Sequence, residues 1–398
     1  MDLFEVATDL HIHSRYSAAT SPSMDLPTLA RESQKKGIKL LGTGDCLHPK
    51  WLSEIRTLEG ADGTYRYGDT RFVLTVEVED INRVHHLLII PSISKAEELY
   101  DQFKRHSSNI SSDGRPRIDL DGEGIAEHAR DVSALIGPAH AFTPWTSLFG
   151  HYDSLGECYK DLRDYVSFIE LGLSADSQYA DMISELRSMT FLSNSDAHSP
   201  WPIRLGREFN VLKIESYSFE EVSRSIKSES GRKPTLNVGM PPEEGKYNET
   251  ACCRCYKHYT LEDSLKAHFI CSCGGKIVKG VRDRVCEISN GCETQHPHER
   301  PPYIHLIPLA EIIAMALDLS SGSKTVQRNW DLLVSEYQDE ATVLLHASTN
   351  DMNVDLRIAE SIQAFRDDKI ILRPGGGGMY GTIELPNYEA PQKSLFDF

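Results

Sequence analysis

The residues best suited to chemistry in this 398-residue chain are imidazoles and carboxylates that recur at the ends of apolar segments. The first set is Asp9-Leu10-His11-Ile12-His13-Ser14, just after the apolar run Leu3 to Val6. Alternate side chains of an extended strand share a face, so His11 and His13 point the same way and can hold one metal ion together. Similar groups follow later apolar runs: Asp45 and His48, Glu77, the pair His85 and His86, His140, Glu170, and the doublet Asp196 and His198. A single histidine at a strand end is more often a packing or surface residue than a ligand. Two such doublets with further strand-end groups are hard to attribute to accident. Glu170 stays undecided, and Glu79 and Asp80 read as solvated. A donor set of His and carboxylate without thiolate suits Zn, Mn or Fe(II). Several ions bridged by carboxylates clamp phosphate oxygens and generate hydroxide at neutral pH, so phosphoester hydrolysis is the favoured reaction class.

These groups need a scaffold that brings strand ends together. Strand-like segments are read at 4–10, 38–43, 72–78, 84–90, 134–139, 166–171 and 189–193. Amphipathic helical stretches lie between several of them. The helix at 24–36 has Ser23 as expected N-cap and Gly37 just beyond its end. Such alternation predicts a parallel α/β sheet, open or closed into a barrel, with its active site at the C-terminal strand ends.

The opening DLHIHS, the acidic second motif, the strand Glu and the closing SDAH resemble the PHP (polymerase and histidinol phosphatase) family. The resemblance implies a distorted (β/α)7 barrel with two or three divalent ions (Zn, Mn, Fe or Mg). It implies the ligands His11, His13, Asp45, His48, Glu77, His86, His140, Asp196 and His198, with Glu77 and Asp196 bridging and catalysis centred on His11, His13, Glu77 and Asp196. His86 is chosen over His85 because the family's ligand directly precedes an apolar strand, here Leu87-Leu88-Ile89. Many members have TDH at the second motif, where this chain has Gly44-Asp45-Cys46 and a later His48.

The length predicts more than one domain: a PHP region at 1–238, a thiolate module at 246–292, a mainly helical DNA-binding region at 293–386 and a tail at 387–398. Nine Cys are present, seven of them between Cys252 and Cys292. Cys252 and Cys255 form a CxxC pair, Cys271 and Cys273 a CxC pair. Together they read as one structural zinc site, with Cys253 an alternative to Cys252 and Cys286 and Cys292 left as free thiols. The net charge of −17 argues against a basic coat, but Lys276, Lys279, Arg282 and Arg284 make a local basic stretch after the cysteines. This is either a solvated face or a phosphate-backbone contact. Gly376, Gly377 and Gly378 either cradle a phosphate through backbone N–H groups or form a plain turn. No apolar run is long enough to cross a bilayer, and the N-terminus lacks a signal peptide's pattern. A cytoplasmic, nucleoid-associated protein is expected.

The tail residues Gln392, Leu395, Phe396 and Phe398 fit QxxLxxF and resemble a PIP box, which docks on the sliding clamp PCNA. Nearly the whole chain, including GPAHAFTPW, SDAHSPWP, the four-cysteine knuckle and RPPY, resembles the endonuclease Q family of DNA-repair enzymes from archaea and some bacteria. The resemblance implies hydrolysis of the phosphodiester 5′ to deoxyinosine, deoxyuridine or an abasic site, leaving 3′-OH and 5′-phosphate. Trp145 and Trp201 adjoin expected ligands and either stack on DNA bases or pack the barrel rim. The competing readings are a phosphatase of small phosphomonoesters and a non-catalytic clamp-bound DNA adaptor.

Overall fold

Buried side chains concentrate toward the C-terminal end of the first strand, β1 (Phe4–Asp9), so the chain enters the interior just before His11. The computed structural model describes residues 2–386 apart from 290 and 292. After β1 come β2 (Leu40–Gly42), the hairpin β3 (Glu59–Ala61) and β4 (Thr64–Tyr67), β5 (Thr70–Glu79), β6 (His85–Ile90), β7 (Leu135–Pro138), β8 (Phe168–Glu170), β9 (Thr190–Leu192), β10 (Phe209–Ile214) and β11 (Lys233–Gly239). Leu10, Leu40, Val73, Leu87, Leu135, Phe168 and Leu192 meet in one buried cluster, each in or next to a different strand of the set β1, β2, β5, β6, β7, β8 and β9. These strands form the distorted barrel, and a larger apolar core lies between them and the surrounding helices.

The expected parallel arrangement holds only in part. β1 with β2, β2 with β5 and β8 with β9 are parallel. β6 is antiparallel to both β5 and β7. A parallel crossover needs a dozen or more residues, and only a short turn separates Glu79 from His85. Reversal puts the start of β6, not its end, on the rim where the other strands finish.

Helix Leu26–Lys36 is capped by Asp25, which accepts from Thr28 N, rather than by Ser23; Gly37 ends it with φ 84°. After β11, β12 (Ala251–Cys252) and β13 (Ile277–Val278) pair within the thiolate module. β14 (Tyr303–His305) then returns to β11 in parallel. Helices Leu309–Leu317, Lys324–Tyr337, Glu340–Leu345 and Leu356–Arg366 complete the helical C-terminal region and share the large core with the barrel helices. Segment 341–346 reads as a strand by composition, but 341–345 belongs to helix Glu340–Leu345, which Asp339 caps by accepting from Thr342 N. A buried pair of Lys36 and Glu340, at 2.5 Å, ties this region to the barrel. Among the described residues no helix is long and apolar enough to cross a membrane.

Candidate metal centre

The two imidazoles after β1 converge on carboxylates from other strands. His13 Nε2 lies 3.4 Å from Glu77 Oε2 and 3.2 Å from Asp196 Oδ1. His11 Nε2 lies 3.8 Å from Glu77 Oε1 and 3.7 Å from Asp196 Oδ1. Donors bound at about 2.0–2.2 Å to one ion stand roughly 3–3.6 Å apart, so these spacings are close to those of a shared ligand sphere. His11 Nε2 is also buried without a hydrogen-bond partner, an orphan that a metal ion would satisfy. On the other side of Glu77, Oε1 is 2.7 Å from His85 Nδ1 and 2.8 Å from His140 Nε2, and the two nitrogens are 3.2 Å apart. Glu77 therefore belongs to two donor groups at once. His198 forms a third, overlapping group with His13 and Asp196.

The opposite ring nitrogens are held by carboxylates. Glu170 meets His11 Nδ1 at 2.9 Å and is itself fixed by Asn194 Nδ2 and the His140 backbone N–H. Asp45 meets His13 Nδ1 at 3.1 Å and accepts from Ser14 N at 2.5 Å. Carboxylates in this position set which nitrogen faces a metal and raise its basicity. Three rim residues have left-handed backbone: Asp45 with φ 49°, His140 with φ 31° and Asp196 with φ 47°. This region is uncommon for residues other than glycine, and such strain is found at functional sites.

Burial alone would lower the basicity of His11, but Glu170, Glu77 and Asp196 overcome it and raise the pKa to about 9. Burial likewise opposes the charge on Glu77, yet His85, His13 and His140 hold its carboxyl well below the usual range. The carboxylates thus demand positive charge here, which a divalent ion would supply with neutral imidazoles as ligands.

Three expected ligands stand elsewhere. Register pairs Glu79 with His85, Val78 with His86 and Glu77 with Leu87. Paired residues share a face, so His85 sits on the face of Glu77 and His86 on the other. His86 instead meets Tyr159 OH through Nδ1 at 2.8 Å and joins Asp80 and Cys158 in a separate buried group. Asp80 is fully buried rather than solvated, because it accepts from Asn82 N and Val84 N to close the β5–β6 turn. Asp45 orients His13 and joins no donor group among the described residues. His48 stacks on Tyr16 with ring centroids 4.4 Å apart, and no donor group among the described residues includes it. Sequence reasoning set His85 aside in favour of His86, left Glu170 undecided and missed Arg115, whose Nη1 is 3.4 Å from Glu77 Oε2. The short β5–β6 turn was the available signal for His85.

Cys252, Cys255, Cys271 and Cys273 converge, with Sγ–Sγ distances of 3.5 Å for Cys252–Cys273 and for Cys255–Cys271. Cys253 lies outside the group and is exposed. Backbone N–H groups of Arg254 and Cys273, and the Tyr259 hydroxyl, point at these sulfurs, as thiolate ligands require. Cys286 is disulfide-bonded rather than a free thiol.

The expected DNA-contact residues divide. Lys276 is exposed and has no ion pair among the described residues. Lys279 pairs with Glu287 and Arg282 with Glu249. Arg284 is a tie to the barrel, donating to Phe149 O and Tyr152 O. The Gly-rich segment is packing: Gly376 donates to Met379 O and Gly378 to Lys246 O, while a Cβ on Gly377 would strike the Cys252 carbonyl. With these two N–H groups already bonded, the turn reading is favoured over the phosphate cradle. Trp145 is 56% and Trp201 48% exposed. Trp145 borders a cleft of 530 Å³ between the barrel and the thiolate module, which Lys276 also lines. The clamp-type residues Gln392, Leu395, Phe396 and Phe398 lie outside the described residues.

Residues 308–369 match the family model of the MJ0043 C-terminal domain. The uncharacterized protein MJ0043 of Methanocaldococcus jannaschii is 44% identical over 261 residues, covering 64% of this chain; the chain matches only 32% of that relative's length. The crystal structure of the lesion-specific endonuclease PfuEndoQ from Pyrococcus furiosus is 48% identical, with TM-score 0.93 over 96% of each chain. Endonuclease Q in complex with a 27-mer duplex substrate, with an abasic lesion at the active site, is likewise 48% identical, with TM-score 0.90 over 96% of this chain and 97% of that one. With its barrel, its thiolate module and its helical region all contained in this likeness, the chain belongs to the endonuclease Q family.

Proposed function

We propose that this chain is a metal-dependent DNA-repair endonuclease that hydrolyses the phosphodiester 5′ to a deaminated or abasic nucleotide, leaving 3′-OH and 5′-phosphate. Deoxyinosine, deoxyuridine and abasic sites are its lesions. The observation that carries the reading is the double membership of Glu77, one oxygen near His13 and the other near His85 and His140. The abasic duplex bound by its 48% identical relative supports the choice of substrate.

His11, His13 and Glu77 would hold one ion, Glu77, His85 and His140 a second, and Asp196 and His198, with His13, a third. Zinc, manganese, iron or magnesium ions held there would supply hydroxide at neutral pH and neutralise charge on phosphorus. The chain's own part is orientation: Glu170 and Asp45 fix the rings of His11 and His13, and the left-handed turn at Asp196 aims its carboxylate at both. The four cysteines are a closed zinc site, which holds the module rather than acting in catalysis.

DNA would lie along the cleft between barrel and module, with Lys276 on its backbone and Trp145 and Trp201 against bases. A deaminated or missing base pairs weakly, which lowers the cost of turning the nucleotide out of the stack. The tail adds a proposed second partner, the sliding clamp, and a DNA substrate keeps the protein with the nucleoid. Duplexes carrying one abasic site, deoxyuridine or deoxyinosine, each tested with Zn, Mn, Fe and Mg, check the reading. Incision 5′ to each lesion is expected. Hydrolysis of a small phosphomonoester without incision would replace it with a phosphatase, and lesion binding without cleavage under every metal with an adaptor.

A further inference from the structure

We infer that Arg115 is a catalytic residue that binds the scissile phosphate; this rests on the endonuclease reading above. Among the described residues, Arg115 is the Lys or Arg that forms an ion pair with a carboxylate of the centre, with Nη1 3.4 Å from Glu77 Oε2. Its position is built rather than accidental. Glu79 N donates to Pro116 O and Ile118 N to Glu79 O, each at 3.0 Å or less, stitching the loop to β5. Gly114 N donates to Tyr16 O at 3.0 Å, and a Cβ on Gly114 would collide with the Asp45 carboxylate. The loop thus lies on the residue that orients His13, and Asp113 Oδ1 accepts from the Arg115 backbone N–H at 3.1 Å.

The way its guanidinium is bonded separates Arg115 from the structural arginines of this chain. Arg300 is 7% exposed and is surrounded by the Asp181 carboxylate and three backbone carbonyls. Arg366 caps the carbonyls of Val343, Leu344 and Ala347. The Arg115 side chain is 31% exposed, and among the described residues the one hydrogen bond of its guanidinium is the long contact to Glu77. No other guanidinium N–H of Arg115 has a hydrogen-bond partner among the described residues. A planar guanidinium matches two phosphate oxygens at once.

In the reaction a water oxygen bonds to phosphorus and the bond from phosphorus to O3′ breaks. One water proton ends on the 3′-hydroxyl, and the other is released as the 5′-phosphate ionises. Negative charge grows on the non-bridging oxygens as phosphorus becomes five-coordinate. Arg115 keeps its protons and meets that charge through two N–H donors.

The test compares Arg115→Ala and Arg115→Lys with wild type on an abasic duplex at saturating enzyme. Losing one preorganised donor costs about 10²–10³ in rate, so Arg115→Ala should lose that much. Arg115→Lys should recover part of the loss, and bound metal per chain should stay at the wild-type value. A second readout measures binding by the metal-loaded protein to an abasic duplex with a non-hydrolysable linkage at the incision site: the slope of log binding constant against log salt should fall by about 0.9 for one lost phosphate contact. An Arg115→Ala rate within threefold of wild type, an unchanged salt slope, or a parallel loss of bound metal overturns the inference. Wild type that binds the duplex without incising it overturns the endonuclease reading instead, and the salt slope still decides whether Arg115 contacts phosphate.

Discussion

At the scale of single residues, the centre turns on which nitrogen of which histidine faces inward. His85 and His86 are neighbours in sequence, yet the pleat of β6 puts only His85 at Glu77. We expect His85→Ala to lower bound metal by about one ion per chain and incision by at least about 10²-fold. His86→Ala should leave both intact and lower stability by about 1–3 kcal/mol through the lost bond to Tyr159. Metal analysis with a denaturant titration separates the two outcomes, and the reverse pattern would restore His86 as the ligand. Glu170 works one bond further out. Glu170→Gln weakens its hold on His11 Nδ1, so metal affinity should fall about 10–100-fold and excess metal should restore incision. A variant that stays inactive at saturating metal would contradict the positioning role.

At the scale of elements, the seven barrel strands and the rim that carries their ligands can be read from apolar runs followed by His or carboxylate. That pattern survives because these strands are largely buried, β6 wholly and β1 toward its C-terminal end. Direction was not legible in the same way. Strand alternation predicts parallel pairing, whereas the five-residue turn after β5 decides for antiparallel, and with it which histidine reaches the site. Glu170 and Arg115 were illegible for a different reason: their roles depend on contacts 159 and 38 residues away in sequence. The Gly-rich loop makes the same point, since glycines that suit a phosphate also suit close packing. Gly377, at φ 64°, lies on the Cys252 backbone. Gly377→Ala should therefore destabilise the protein by about 1–3 kcal/mol and lower its melting temperature. A loss of DNA affinity at unchanged melting temperature would favour the phosphate cradle.

At the scale of the whole molecule, the thiolate module and the C-terminal helices close around the barrel, and one buried acid reports on how tightly. Glu208 Oε1 accepts from Met240 N, while Oε2 is buried without a partner. Burial raises its pKa from 4.5 to about 8. A carboxyl with a raised folded-state pKa binds more protons when folded than when unfolded, so its contribution to stability falls as pH rises from 4.5 to 8. Glu208→Gln should match wild type near pH 4.5 and exceed it at pH 8.5 by about 1–3 kcal/mol, read from melting curves across that range. Equal pH profiles would show that Glu208 ionises freely in the folded chain. The account as a whole rests on Glu77 joining two donor groups into one phosphodiester-cleaving centre. Its most direct test is single-turnover incision of an abasic duplex by metal-loaded wild type and Glu77→Ala, with both new ends mapped. A wild-type nick 5′ to the lesion with 3′-OH and 5′-phosphate ends is expected, and for Glu77→Ala a rate at least about 10³-fold lower with the cysteine-bound metal retained. Incision by Glu77→Ala at the wild-type rate, or no nick by wild type with any metal, would contradict it.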